Sequence, residues 1–208
     1  MALDLTQIVI ILTYISILLE IIIFPVPSVA SSYQLIKQKK SLPEGFFYKR
    51  IENLKLWQKV ILLAFPTLLS IIAYCAPLIL IILSEFSHIP VHKTENAWLI
   101  FIAFIFILAG RTISVYSTIS IRRNNRQIGK SFELKTGSLF SVSRNPILFG
   151  LYVSYAGMII LFPYFFMLIA FGYYILHMHF RILIEESFLR FKFGDKYVNY
   201  MGRTKRYI

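Results

Sequence analysis

Long apolar runs separated by short basic segments dominate the pattern of hydrophobic and polar positions. A helix needs about 20 apolar residues to cross the hydrocarbon core of a bilayer. Three runs reach that length: residues 5–29, 60–83 and 97–121. Pro163 divides a fourth region, residues 147–184, and predicts a tight helical hairpin with a short first arm. The pattern predicts an all-α integral membrane protein with about five transmembrane helices, two of them in this C-terminal hairpin.

Two local features bear on the first two spans. Ser28-Val29-Ala30 resembles a signal-peptide cleavage site, but only Asp4 carries charge ahead of an apolar core that is longer than usual for a leader. We therefore expect a retained span. Pro66 and Pro77 lie in the second run, where they should kink the helix and free backbone carbonyls.

The charge of the loops predicts the orientation. Residues 30–59 and 122–144 are rich in Lys and Arg, whereas residues 84–96 hold one lysine against two glutamates. Because Lys and Arg concentrate in cytoplasmic loops, we expect the N-terminus outside and the C-terminus in the cytoplasm. The membrane would be the plasma membrane in a prokaryote or the endoplasmic reticulum in a eukaryote. Residues 1–208 form one domain, with three spanning helices in residues 1–121.

The composition indicates which class of molecule the protein contacts, membrane lipid or nucleic acid. The chain is 57% hydrophobic and 15% charged, whereas soluble domains carry about a quarter charged residues. The net charge of +12 comes from blocks between apolar runs, which suits anionic lipid headgroups and not nucleic acid. Cys75 is the single cysteine, so no intramolecular disulfide forms. His177 and His179 diverge on a helix, and His88 and His92 lack a third ligand, so no metal site is expected.

Two charges lie inside apolar runs. Glu20 and Arg111 fall at similar depth in the first and third predicted helices. A charge at such depth is costly unless it is paired or hydrated. We expect a structural ion pair between them; a water-lined substrate pocket is the alternative.

Residues 131–150, which precede the hairpin, contain the sequence Arg144-Asn145-Pro146. Proline is favoured at the first position of a helix, and a helix start offers free backbone N–H groups that suit an anionic group such as a carboxylate. A basic loop followed by a proline-capped membrane helix explains the same residues without any ligand.

Residues 181–208 follow the hairpin. Arg181 and Glu185 are four residues apart and share one helix face, while Glu186 points about 100 degrees away. An ordinary salt bridge is the simpler interpretation of the pair. Beyond it, aromatic and basic residues alternate in the pattern of an interfacial helix broken at Gly194. These residues alone indicate two polar segments at one membrane surface, and no reaction.

Together the two segments resemble the isoprenylcysteine carboxyl methyltransferase family and its phospholipid methyltransferase relatives. The matching positions are Phe140, Arg144, Asn145, Pro146 and Gly150 before the hairpin, and Arg181, Glu185, Glu186, Leu189, Phe193, Gly194, Tyr197, Tyr200, Arg206 and Tyr207 after it. Two positions depart from the pattern, because many members have histidine in place of Asn145 and tyrosine in place of Leu148.

The resemblance implies that residues 122–208 form the catalytic region, with S-adenosylmethionine between the loop before the hairpin and the helix after it. Arg181 and Glu185 are then the catalytic residues, with Arg181 on the substrate and Glu185 on the cofactor. The other cofactor contacts carried over are Phe132, Glu133, Leu134, Lys135, Phe140, Asn145, Pro146, Ile147 and Leu148.

The implied function is methylation of a carboxylate on a lipophilic acceptor. An unperturbed carboxylate is ionised at neutral pH and needs no base. The alternative acceptor is a phospholipid or other lipid amine, which must lose a proton to Glu185 or Glu186. Further alternatives are a non-catalytic membrane protein and a nicotinamide-dependent membrane reductase. The expected partners are the lipophilic acceptor and membrane lipids; the oligomeric state stays open.

Overall fold

The computed structural model describes residues 4–23, 54–87, 92–126 and 134–208. Its elements are α1 (Leu5–Ile23), α2 (Leu56–Tyr74), α3 (Ala76–Ser87), α4 (Ala97–Arg126), a 3-10 turn (Ser138–Ser141), α5 (Pro146–Leu161), α6 (Phe165–Phe193) and α7 (Asp195–Arg203). The only β contact among the described residues is an isolated bridge, so the prediction of an all-helical fold is confirmed.

Two of the described helices, α4 over Ala97–Ile121 and α6, are long and apolar enough to cross a membrane. The bent pair α2–α3 makes a third if it is one span, and α1 and α5 supply shorter apolar helices. The count of five transmembrane helices and the orientation stay predictions. The end of the first predicted span, residues 24–29, lies outside the described residues.

The second apolar run forms two helices and not one kinked helix. The axes of α2 and α3 meet at 57° around Cys75, just before Pro77, while Pro66 lies inside α2. Pro77 has no N–H for the Ala73 carbonyl. The Tyr155 hydroxyl donates to the Ala73 oxygen at 2.8 Å. The expectation that proline frees backbone carbonyls is therefore confirmed at Pro77, where a tyrosine from α5 supplies the missing donor.

Glycines bring the backbones of α4 and α5 into direct contact. A Cβ added to Gly110 would lie 2.4 Å from the Gly150 oxygen, and one added to Gly157 would lie 2.6 Å from the Ala103 oxygen. α5 therefore packs along α4, whereas α6 packs mainly against α2. The predicted hairpin is present, with its two arms joined by a short turn at Pro163. The arms contact each other through aromatic side chains, such as the stacked rings of Tyr155 and Phe171, whose centroids lie 4.9 Å apart.

Glu20 of α1 and Arg111 of α4 form the expected ion pair. An Arg111 Nη2 lies 2.7 Å from a Glu20 carboxylate oxygen. Arg111 Nε also donates to the Ser16 hydroxyl at 3.0 Å, and the Thr118 hydroxyl donates to Glu20 at 2.5 Å. Arg111 is only 7% exposed. The polar contacts compensate for placing two charges within apolar helices, so the ion-pair hypothesis is confirmed.

The glycine contact predicts that Gly157→Ala destabilises the protein by about 2 kcal/mol, because a methyl group forces α4 and α5 apart. Gly172→Ala is the matched control, since no atom lies within 4 Å of its added Cβ. We expect the control to keep or raise the Tm, as alanine favours helix. Thermal unfolding in detergent measures both variants, and equal Tm values would contradict the backbone contact.

The ion pair predicts non-additive effects of substitution. Arg111→Met should destabilise the protein by about 3 kcal/mol, because it leaves the Glu20 carboxylate buried without its cation. Adding Glu20→Gln should recover much of the loss. The free energy of unfolding in mixed micelles gives the double-mutant cycle, and simple addition of the two single losses would argue against pairing.

Candidate active site

The end of the chain lies across the start of α5. Ser143 and Lys205 form a parallel bridge, and the Arg144 N–H donates to the Lys205 oxygen at 2.9 Å. The Asn145 side-chain amide donates to the Arg206 oxygen at 3.1 Å. The two polar segments that flank the hairpin in the sequence are therefore in direct contact.

Glu186 of α6 is held between two arginines. Arg206 donates to both of its carboxylate oxygens, from Nε at 3.0 Å and from Nη2 at 2.8 Å, and an Arg144 Nη2 lies 3.0 Å away. Arg144 also donates through Nη1 to the carbonyls of Met201 and Thr204, at 3.0 and 3.1 Å. Glu186 is 4% exposed. One buried carboxylate thus joins the loop before α5, helix α6 and the chain end.

The hydrogen bonds with Glu186 also raise the pKa of the Arg206 guanidinium above its ordinary value. Arginine is already ionised at every physiological pH, so this pair keeps its charges across the range in which the protein works. The Glu186–Arg206 ion pair is therefore structural and does not respond to changes in physiological pH.

Arg181 and Glu185 of α6 do not take part in the network of ion pairs around Glu186. Within the part of the chain that the structure describes, neither side chain makes a hydrogen bond or ion pair. The salt-bridge interpretation of the two residues therefore does not hold. Glu185 is exposed and yet surrounded by protein atoms, with the charge of Arg181 acting on it. Its carboxylate is therefore accessible and lies close enough to the Arg181 guanidinium to feel its charge.

The start of α5 carries the predicted helix N-terminus. Pro146 is the first helical residue, and Asn145 precedes it without capping the helix through its side chain. The Phe149 N–H makes the first bond of the helix, to the Asn145 oxygen at 3.1 Å. The N–H groups of Ile147 and Leu148 therefore point out of the helix end, as the first-turn donors of any helix do.

Phe140 is buried in the 3-10 turn before this helix. Its oxygen accepts the Tyr200 hydroxyl at 2.5 Å, and burial raises the pKa of Tyr200 to about 12, so the donor proton is retained. The other predicted cofactor residues divide into Leu134 and Lys135, which are half-buried ahead of the turn, and Phe132 and Glu133, which lie outside the described residues.

Sequence reasoning matched Arg144, Glu186 and Arg206 to a motif but gave the two arginines no role and considered Glu186 only as a base. The sequence did indicate that Glu186 and Glu185 have different roles, since adjacent residues on a helix face about 100 degrees apart. Nothing in the sequence indicated that both arginines converge on it. No group of three metal-ligating side chains occurs in the described ranges.

Arg144→Lys should destabilise the protein by about 2 kcal/mol, because one ammonium group cannot replace bonds to a carboxylate and two carbonyls. Arg203→Lys is the control, since Arg203 is exposed at the end of α7. Thermal unfolding in detergent compares the two. Equal Tm values for both variants would show that Arg144 does not hold the segments together.

The comparison with curated proteins and the comparison with solved structures each give no match. Residues 98–196 match the family model described as phospholipid methyltransferase. The matched region begins in α4 and includes the start of α5, Arg181, Glu185 and Glu186, and it ends in the first turn of α7. The resemblance recognised in the two polar segments is confirmed, and a membrane methyltransferase acting on lipids or lipid-like molecules is indicated. Residues 98–196, which hold α5, α6 and most of the predicted site residues, are thus similar to the phospholipid methyltransferase family.

Proposed function

We propose that the protein is an S-adenosylmethionine-dependent methyltransferase that methylates a carboxylate on a lipophilic acceptor at the membrane surface. One observation carries the proposal. Arg181 is half-buried and Glu185 is exposed, and neither makes an ion pair among the described residues, while the neighbouring Glu186 is paired with two arginines. A structural salt bridge would be satisfied within the protein, whereas these two charges are left for ligands.

The chemistry of the site suits this cofactor. The first-turn N–H groups of Ile147 and Leu148 can donate to its carboxylate. The Asn145 amide oxygen makes no hydrogen bond within the described residues and can accept one from its amino group. Glu185 adds a negative charge that suits its sulfonium. When bound, S-adenosylmethionine supplies an activated methyl group, so the protein has little covalent chemistry left to perform.

Arg181 would bind the acceptor. A guanidinium holds a carboxylate through two parallel N–H bonds, which fixes both its position and its direction. Placing the nucleophile in line with the methyl group, at about 3–3.5 Å, is where most of the acceleration would arise. The same turn of α6 also exposes the apolar side chains of Phe180 and Leu183, which are available to contact a lipid tail.

A lipid amine is the second candidate acceptor, favoured by the description of the matched family. An amine needs a base to remove its proton. Of the two glutamates first considered, Glu186 is unsuited, because both of its oxygens accept hydrogen bonds from Arg206. Glu185, which has no such partner, would be the base.

We expect purified protein in detergent to bind S-adenosylmethionine, as measured by isothermal titration calorimetry. Glu185→Gln should raise the Kd by about tenfold or more, because it removes a charge beside the sulfonium, an effect of about 1.4 kcal/mol or more. Arg181→Ala should keep the Kd within about twofold and abolish turnover. Folded protein that binds no cofactor would overturn the proposal in favour of a non-catalytic protein or a reductase.

The acceptor is tested with radiolabelled methyl transfer in two arms. One arm offers a prenylated cysteine carboxylate, and the other offers phosphatidylethanolamine in vesicles. We expect turnover in the first arm, and at equal concentration no turnover of the same carboxylate without its lipid tail. Turnover confined to the second arm would replace the carboxylate with the amine.

A further inference from the structure

The C-terminal strap, defined here as residues 204–207, follows α7 and lies beyond residue 196, where the match to the family model ends. Its carbonyls accept hydrogen bonds from Arg144 and Asn145, at the start of α5. Its Arg206 and Tyr207 side chains bond to α6. The strap therefore links the two helices whose residues form the proposed cofactor site.

The strap sets the orientation of Asn145. The Asn145 Nδ2 donates to the Arg206 carbonyl oxygen at 3.1 Å. Rotating the amide by half a turn would bring two oxygens together and lose this bond, so the network itself decides the orientation. As a result, the Asn145 amide oxygen, and not its nitrogen, remains free for a ligand.

The strap also fixes the rotation of α6. The Tyr207 hydroxyl is 3.0 Å from the His179 Nδ1, and Arg206 binds Glu186. His179 and Glu186 are seven residues apart, which is two turns, so they lie on one helix face. Because that face contacts the strap, Arg181 and Glu185 lie on another side of α6, where neither forms an ion pair with any residue that the structure describes.

We propose that the C-terminal strap is a positioning element of the cofactor site. Its Arg206 carbonyl orients Asn145, and its Arg206 guanidinium acts through Glu186 to present Glu185. This inference rests on the proposed methyltransferase function. Arg206 and Glu186 are assigned as positioning residues, because Arg206 donates to Glu186 from both Nε and Nη2 and Glu186 is also paired with Arg144.

Binding of the cofactor and closure of the strap are then thermodynamically linked. If a closed strap improves affinity for the cofactor, bound cofactor must stabilise the closed strap by the same factor. Trypsin can report closure, because it cleaves after Lys205, within the strap. Saturating S-adenosylmethionine should therefore slow cleavage after Lys205, which intact-mass spectrometry follows.

The decisive comparison is Arg206→Ala against Arg203→Ala, the same chemical change three residues earlier at an exposed position outside the strap. We expect Arg206→Ala to raise the Kd for S-adenosylmethionine at least tenfold and Arg203→Ala to leave it within twofold. Glu186→Gln should raise the Kd at least as much, because it also weakens the contact with Arg144. Adding Arg206→Ala to it should raise the Kd little further, since the Glu186–Arg206 contact is already weakened. Arg206→Lys, which keeps one charge contact, should restore part of the affinity.

A positioning role differs from general destabilisation in its kinetics. At temperatures where circular dichroism shows each variant folded, Arg206→Ala and Arg206→Lys should raise KM for the cofactor, while KM for the acceptor at saturating cofactor stays near that of the parent. An equal rise in both KM values would overturn the inference. The inference would also be overturned if the parent protein and Arg206→Ala bound the cofactor equally well. That outcome would leave the proposed function intact. A parent protein that binds no cofactor overturns both.

Discussion

A single buried carboxylate, that of Glu186, holds the functional end of the molecule together. A charge that is 4% exposed is tolerated only when it is fully paired. Arg144 and Arg206 provide that pairing from two segments that are far apart in the sequence. If either segment moved away from α6, the Glu186 carboxylate would lose a cationic partner while it is still buried. The loop before α5, helix α6 and the strap therefore behave as one unit.

The packing of the apolar helices determines where this unit lies. Gly110, Gly150 and Gly157 let α5 contact α4 along its backbone. α5 has 16 residues and is about 24 Å long, shorter than a hydrocarbon core of about 30 Å. Its polar start can therefore meet the bilayer surface, where the head of a lipid-like acceptor would lie. The Glu20–Arg111 pair fastens α1 to the same α4.

Adjacent glutamates on α6 take opposite roles because a helix turns about 100 degrees per residue. Glu186 faces the two arginines and forms ion pairs with both, whereas Glu185 is exposed and makes no ion pair among the described residues. The ion pairs of Glu186 hold this part of α6 rigidly. The neighbouring Glu185 is therefore kept in a fixed position in which its carboxylate could contact a ligand. This division assigns base chemistry, if an amine is the acceptor, to Glu185.

The helical class, the break at Pro163, the end of α6 at Gly194 and the pairing of Glu20 with Arg111 could all be predicted from the order of the residues. These follow from local rules of length, backbone geometry and the cost of charge in lipid. The sequence also supplied a motif from which the site residues are predicted, and these assignments stay predictions. Only the tertiary structure decided that α5 packs on α4 and not tightly on α6, and that Arg144 and Arg206 share Glu186. Such contacts join residues that are distant along the chain, and periodicity and spacing carry no information about which distant side chains meet.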